Sequence, residues 1–96
     1  MSNQRNSPRY ASYKPAHIVL NAGDKLIRCH LCDLSDTGVG LEVPSESYVP
    51  QIFDLLFEVE ELKRVLAGIW RPQKKMVVRS CQTAWRRGAR LGARFV

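Results

Sequence analysis

From Ala16 onward the chain breaks into short apolar, β-branched segments separated by turn formers: HIVL, Asn21-Ala22-Gly23-Asp24, KLIRCHLCDL, Ser35-Asp36-Thr37-Gly38, VGLEVP. Segments of this length bounded by Gly, Asn and Asp are the material of antiparallel sheets. The last third repeats the rhythm as a hairpin, with KKMVVRSCQTAW as a strand, Arg86-Arg87-Gly88 as a turn and ARLGARFV as the closing strand. Between these regions the pattern is ambiguous. Ile52, Leu55, Leu56, Val59, Leu62, Leu66 and Ile69 recur at helical spacing, while Phe53-Asp54-Leu55 and Phe57-Glu58-Val59 alternate. The compromise is a strand from near Phe53 followed by a short helix or a hairpin.

A chain of 96 residues holds one hydrophobic core and has no room for a second. Five to seven strands at spacings of about 8 to 12 residues therefore predict a single all-β domain over residues 16–96, mainly antiparallel. A small barrel or sandwich, closed so that edges are not left free, is the economical architecture. Residues 1–15 are polar, contain Pro8 and Pro15 and follow neither period, so they read as a flexible arm outside it.

Charge is distributed unevenly. The net charge is +6, made of +3 in residues 1–15, −7 in residues 16–61 and +10 in residues 62–96. An anion should be drawn to wherever the two basic ends meet in the fold. The three cysteines, Cys29, Cys32 and Cys81, are an odd number, and no apolar run follows the polar start as a secretory signal would require. A reducing, cytoplasmic setting is expected. No apolar run approaches the roughly 20 residues of a membrane span, so no membrane insertion is expected.

Two motifs stand out. Arg5-Asn6-Ser7-Pro8-Arg9 places two arginines four apart in the arm, a spacing that composition alone yields about once by chance. Asp33-Leu34-Ser35-Asp36-Thr37-Gly38 is more specific: composition predicts about 0.03 occurrences of the [DN]-x-S-x-x-G pattern it matches. Chemically, the two motifs complement a guanine nucleotide. An arginine fork engages guanine O6 and N7, or a phosphate, with two parallel hydrogen bonds. A carboxylate such as Asp33 matches the N1 and N2 donors of the opposite edge, Ser35 adds a hydroxyl, and Gly38 or Gly40 permits close backbone approach.

In this order, separated by one strand, the motifs resemble the PilZ domain family, receptors for the bacterial second messenger cyclic di-GMP. Gln4-Arg5 and Arg9 precede the first strand, Asp33, Ser35 and Gly38 follow the second, and Trp85 with Leu91-Gly92-Ala93-Arg94-Phe95 resembles the family's last hairpin. Only Val59 to Gln73 departs from the pattern. The resemblance implies a six-stranded β-barrel with one short helix at most. It further implies that Arg5, Arg9, Asp33, Ser35 and Gly38 bind cyclic di-GMP, that Trp85 stacks near it, and that the protein is an adaptor for an unidentified downstream protein in motility, biofilm or exopolysaccharide control. No cofactor and no catalysis are implied.

Each feature also has a plainer reading. Arm arginines can be solvated charge. Asp33, Ser35 and Gly38 can be a self-bonded turn. Trp85 on an alternating strand can belong to the core. Cys29-His30-Leu31-Cys32 has zinc-ligand spacing, with Cys81 and His17 as further ligands, but residues three apart on a strand face opposite sides, which favours inert thiols. Two rivals remain at this stage. One is a basic barrel that binds single-stranded nucleic acid through Arg86, Arg87, Arg90 and Arg94 with Trp70, Trp85 and Phe95 as stacking platforms. The other is a degenerate interaction module that binds no nucleotide.

Overall fold

A computed structural model describes residues 13–96. Six strands, β1 (Lys14–Leu20), β2 (Lys25–Leu34), β3 (Gly38–Glu42), β4 (Ile52–Leu66), β5 (Ile69–Arg87) and β6 (Arg90–Phe95), pair in the order β1-β2-β3-β6-β5-β4 and close into an antiparallel barrel. The expected all-β barrel is thus present. The sole helical element among the described residues is a single 3₁₀ turn, Asn21–Gly23. Its positive φ at Asn21 and Gly23 shows why Asn and Gly stand there. No helix among the described residues is long and apolar enough to cross a membrane.

The core follows from the two-residue period of the strands. Ile18, Cys29, Leu31, Val39, Leu41, Phe53, Leu55, Phe57, Cys81, Leu91 and Ala93 all point inward and are buried. β1 begins at Lys14, two residues before the first apolar segment suggested by the sequence. The ambiguous middle resolves as a hairpin: β4 runs unbroken for 15 residues and turns back through Ala67 and Gly68 into the 19-residue β5. Gly68 has φ 76°, the left-handed conformation a tight turn needs. The helical spacing of Leu62, Leu66 and Ile69 was misleading because this part of the hairpin extends beyond the barrel. Its apolar residues lie in solvent there, and no buried face imposes strict alternation.

Loop residues 43–51 join β3 to β4 and are held by Arg86. Its guanidinium donates to the carbonyl oxygens of Ser47 (2.6 Å), Pro44 (3.1 Å) and Ser45 (3.3 Å) through its terminal nitrogens, and Nε donates to Gly88 O at 3.0 Å. Arg86 is paired with the buried Leu91 across β5 and β6. It therefore spends its fork on backbone carbonyls of the loop and the β5–β6 turn.

Candidate functional site

Asp33 ought to face the core. Cys29 and Leu31 point inward, and simple alternation would carry Asp33 in with them. A β-bulge between Leu31 and Asp33 prevents this: Leu31 pairs with Leu41, Asp33 with Gly40 and Leu34 with Val39. The extra residue reverses the parity of the strand, so Asp33 turns out to the barrel surface and Leu34 turns toward the core.

The same device operates on β5. Cys81 is buried and Thr83 pairs with the buried Ala93, so alternation would send Trp85 inward. A second bulge, between Thr83 and Trp85, sets Trp85 opposite Gly92 on the outside, where it is 51% exposed. Because Gly40 is itself paired with Gly92 across β3 and β6, the four residues Asp33, Gly40, Gly92 and Trp85 form one row across four adjacent strands. The row has a carboxylate at one end, an indole at the other and two glycines as its floor. At three strand spacings it is about 14 Å long between backbones, wide enough for a purine to lie on. The glycines keep the floor low: a Cβ on Gly40 would stand 3.2 Å from Cβ of Asp33, and one on Gly92 would enter the Trp85 indole.

Ser35 and Gly38 shape the turn beside this row. The Ser35 hydroxyl accepts hydrogen bonds from the backbone N–H groups of Thr37 and Gly38, both at 3.3 Å, and Ser35 N donates to Gly38 O at 3.0 Å. Gly38 is needed for a different reason: a Cβ there would collide with the carbonyl oxygen of Ala93 on β6. The D-x-S-x-x-G pattern is therefore one outward carboxylate followed by two residues that fix a tight turn and a close strand contact. Arg5 and Arg9 lie outside the described residues.

A groove of about 410 Å³ opens at this turn, lined by Leu34, Ser35, Asp36, Phe57, Val59, Val77, Arg79 and Phe95. Arg79 lies over the Phe95 ring, 4.0 Å from its centroid, and brings a guanidinium next to the turn. Sequence reasoning passed over Arg79, which carries no motif and is one of ten arginines. Midway along β2, Tyr13 stacks on His30 with ring centroids 4.5 Å apart and planes 8° from parallel. Tyr13, the first described residue, is thereby set over His30 of β2, three residues before Asp33.

The cysteines divide as strand parity dictates. Cys29 and Cys81 are core residues whose burial pushes their thiols up, to about 12 and about 11, while Cys32 is half-buried at the bulge. No cluster of three or more metal-ligating side chains is found among the described residues. The proposed nucleic-acid track is also dispersed. Arg86 is engaged by the loop carbonyls, Phe95 lies beneath Arg79, and Trp70 is 15 residues along the extended β5 from Trp85, roughly 50 Å at strand rise.

The chain is thus a six-stranded antiparallel barrel bearing a carboxylate–glycine–indole row beside a D-x-S-x-x-G turn. The PilZ domain model matches residues 3–96, and the chain belongs to the PilZ domain family, a family of cyclic di-GMP receptors. No curated protein matches the chain closely.

Proposed function

We propose that this chain binds cyclic di-GMP on the outer face of the barrel and passes the occupancy of that site to a partner protein. The observation that carries the reading is the bulge-made row Asp33–Gly40–Gly92–Trp85, which sets a carboxylate and an indole on one outer face of the barrel. The Asp33 carboxylate accepts from N1 and N2 of the base, and the base stacks on the outer face of the indole, which lies over Gly92. Phosphates need cations. Arg79 lines the adjoining groove, and Arg9 is four residues from Tyr13, so at about 3.5 Å per residue it reaches roughly 14 Å from that anchor, far enough to meet the row. Arg5 reaches further.

In this mechanism Arg5 and Arg9 clamp the nucleotide against the row, with Ser35 and Gly38 holding the turn that positions Asp33. Ordering about ten arm residues costs on the order of 10 kcal/mol. Several charge-assisted hydrogen bonds must outweigh that cost, so the arginines are steep determinants of affinity. The closed arm with its bound dianion alters local shape and charge, a change that a protein partner can read by differential contact.

Calorimetric titration with cyclic di-GMP, GTP and a short single-stranded oligonucleotide tests the reading. Saturable binding of cyclic di-GMP alone is expected. Arg9→Ala and Asp33→Ala should each weaken it about tenfold or more, since a charge-assisted bond contributes roughly 1.5 to 3 kcal/mol, and Arg90→Ala should matter less. Binding of the oligonucleotide in place of cyclic di-GMP, or full affinity in Arg9→Ala, overturns it.

A further inference from the structure

Beyond the barrel, β4 and β5 continue together as a two-stranded ribbon. The β1–β4 ladder ends at Ala16 opposite Phe57, whereas the β4–β5 ladder runs on to Leu66 opposite Ile69. From Glu58 to Leu66, β4 therefore has an edge on which no strand lies among the described residues. Such an edge offers a row of backbone N–H and C=O groups to any strand that fits. On β5, the stretch facing the other way is interrupted by Pro72, which has no N–H to donate.

This edge, open among the described residues, reads Glu58-Val59-Glu60-Glu61-Leu62-Lys63-Arg64-Val65-Leu66, and it is complementary to itself. Two copies laid antiparallel with Leu62 on the two-fold axis set Glu61 opposite Lys63, Glu60 opposite Arg64 and Val59 opposite Val65, each contact occurring twice. Slipping the register by two residues in either direction sets Glu61 opposite Glu61 or Lys63 opposite Lys63, which is unfavourable. The midpoint of the open edge, counted from Glu58 to Leu66, is also Leu62. Charge pattern and free length thus select the same axis independently.

Neighbouring residues fit the same arrangement. Within the hairpin Lys63 stands directly opposite Arg71, a like-charge pair that disfavours the ribbon on its own. A second copy places Glu61 on the other side of Lys63 and offsets that repulsion. On the opposite face, Leu62 pairs with Pro72 and is 67% exposed. In the two-fold arrangement this becomes an apolar row of Pro72, Leu62 and their symmetry mates. Where β1 parts from β4, grooves lined by Lys14, Glu58 and Glu60 open, and the Ala67–Gly68 turn of the second copy falls at that level.

We infer that this chain forms a homodimer by antiparallel pairing of the β4 edges about a two-fold axis at Leu62, giving a four-stranded sheet β5-β4-β4-β5 between two barrels. Charged residues on an edge usually prevent promiscuous strand addition; here their order admits one partner, a second copy of the chain.

Sedimentation of the full chain over a range of concentrations tests this, with circular dichroism confirming that each variant is folded. The mass of the parent protein should rise towards twice the monomer value with concentration. Lys63→Glu/Arg64→Glu sets acids against acids, and Glu60→Lys/Glu61→Lys sets bases against bases. Each double variant alone should dimerise at least tenfold more weakly, and an equimolar mixture of the two should dimerise again because every pair is then of opposite sign. A parent that stays monomeric to millimolar concentration, a dimer indifferent to both double variants, or a mixture that stays monomeric overturns the inference.

Discussion

The indole of Trp85 on β5 fills the space that a Cβ on Gly92 of β6 would need, its Cε2 2.5 Å and Cζ2 2.9 Å from that position. Trp85 is half exposed, so Gly92→Ala should push the ring outward without breaking the core. The expected stability loss is under about 1 kcal/mol, typical of a surface change. In a Trp70→Phe background, where Trp85 is the remaining indole, its emission should shift, and affinity for cyclic di-GMP should fall about tenfold. Unchanged emission and affinity would show that the ring does not depend on the glycine.

Gly38→Ala should behave in the opposite way. The obstacle is the Ala93 carbonyl oxygen, part of the β3–β6 ladder, and backbone cannot swing aside as a surface indole can. A loss of about 1 to 3 kcal/mol in denaturant unfolding is expected, the usual cost of overpacking. Gly40→Ala, whose nearest obstacle is Asp33 Cβ at 3.2 Å, should lose less stability but displace the Asp33 side chain and weaken nucleotide binding. Equal stability losses at the two glycines would contradict this division.

Arg86→Met keeps most of the aliphatic stem and removes the fork that donates to Ser47, Pro44, Ser45 and Gly88 carbonyls. The four acceptors lose a charged donor together. Because solvent can satisfy some of them, the expected cost is about 1 to 3 kcal/mol. Hydrogen exchange should accelerate in residues 43–51, with the β2–β3 turn little affected. If exchange rises uniformly across the barrel, Arg86 is not a local clamp on that loop.

The barrel was legible in the sequence because burial on one face imposes alternation, as in Phe53, Leu55 and Phe57. The outer row was legible only at Asp33, through its motif. Nothing local announces the two bulges, since a bulge is settled by how a strand's neighbours pair, and without them Asp33 and Trp85 read as inward residues. Trp85 on an alternating strand accordingly reads as a core residue. Arg86 was grouped with Arg87, Arg90 and Arg94 as a possible phosphate track, because its carbonyl partners lie about 40 residues earlier in the chain, a separation no sequence pattern records. The hairpin beyond Glu58 lost its strand signature for want of a buried side.

The core thiols make stability depend on alkaline pH. Cys29 is raised from 9.0 to about 12 chiefly by burial, with a smaller contribution from Cys32, and Cys81 is raised to about 11, again chiefly by burial. In the unfolded chain both thiols ionise near 9, so above that pH the unfolded state binds fewer protons than the folded one. By linkage, stability is then lost as pH rises. The contribution is fully present below pH 9 and declines from there through about 11 to 12. Other groups titrate in the same range, so the measurement is a difference. Cys29→Ala leaves a small cavity and should be less stable than the parent at pH 7, and the gap between them should narrow as pH rises from 9 to 11 because only the parent has this thiol to ionise on unfolding. In parallel, a thiol reagent at pH 8 should label the half-buried Cys32 quickly and reach Cys29 and Cys81 only as the barrel opens. A constant gap across the window would mean that the Cys29 thiol titrates alike in the folded and unfolded chains.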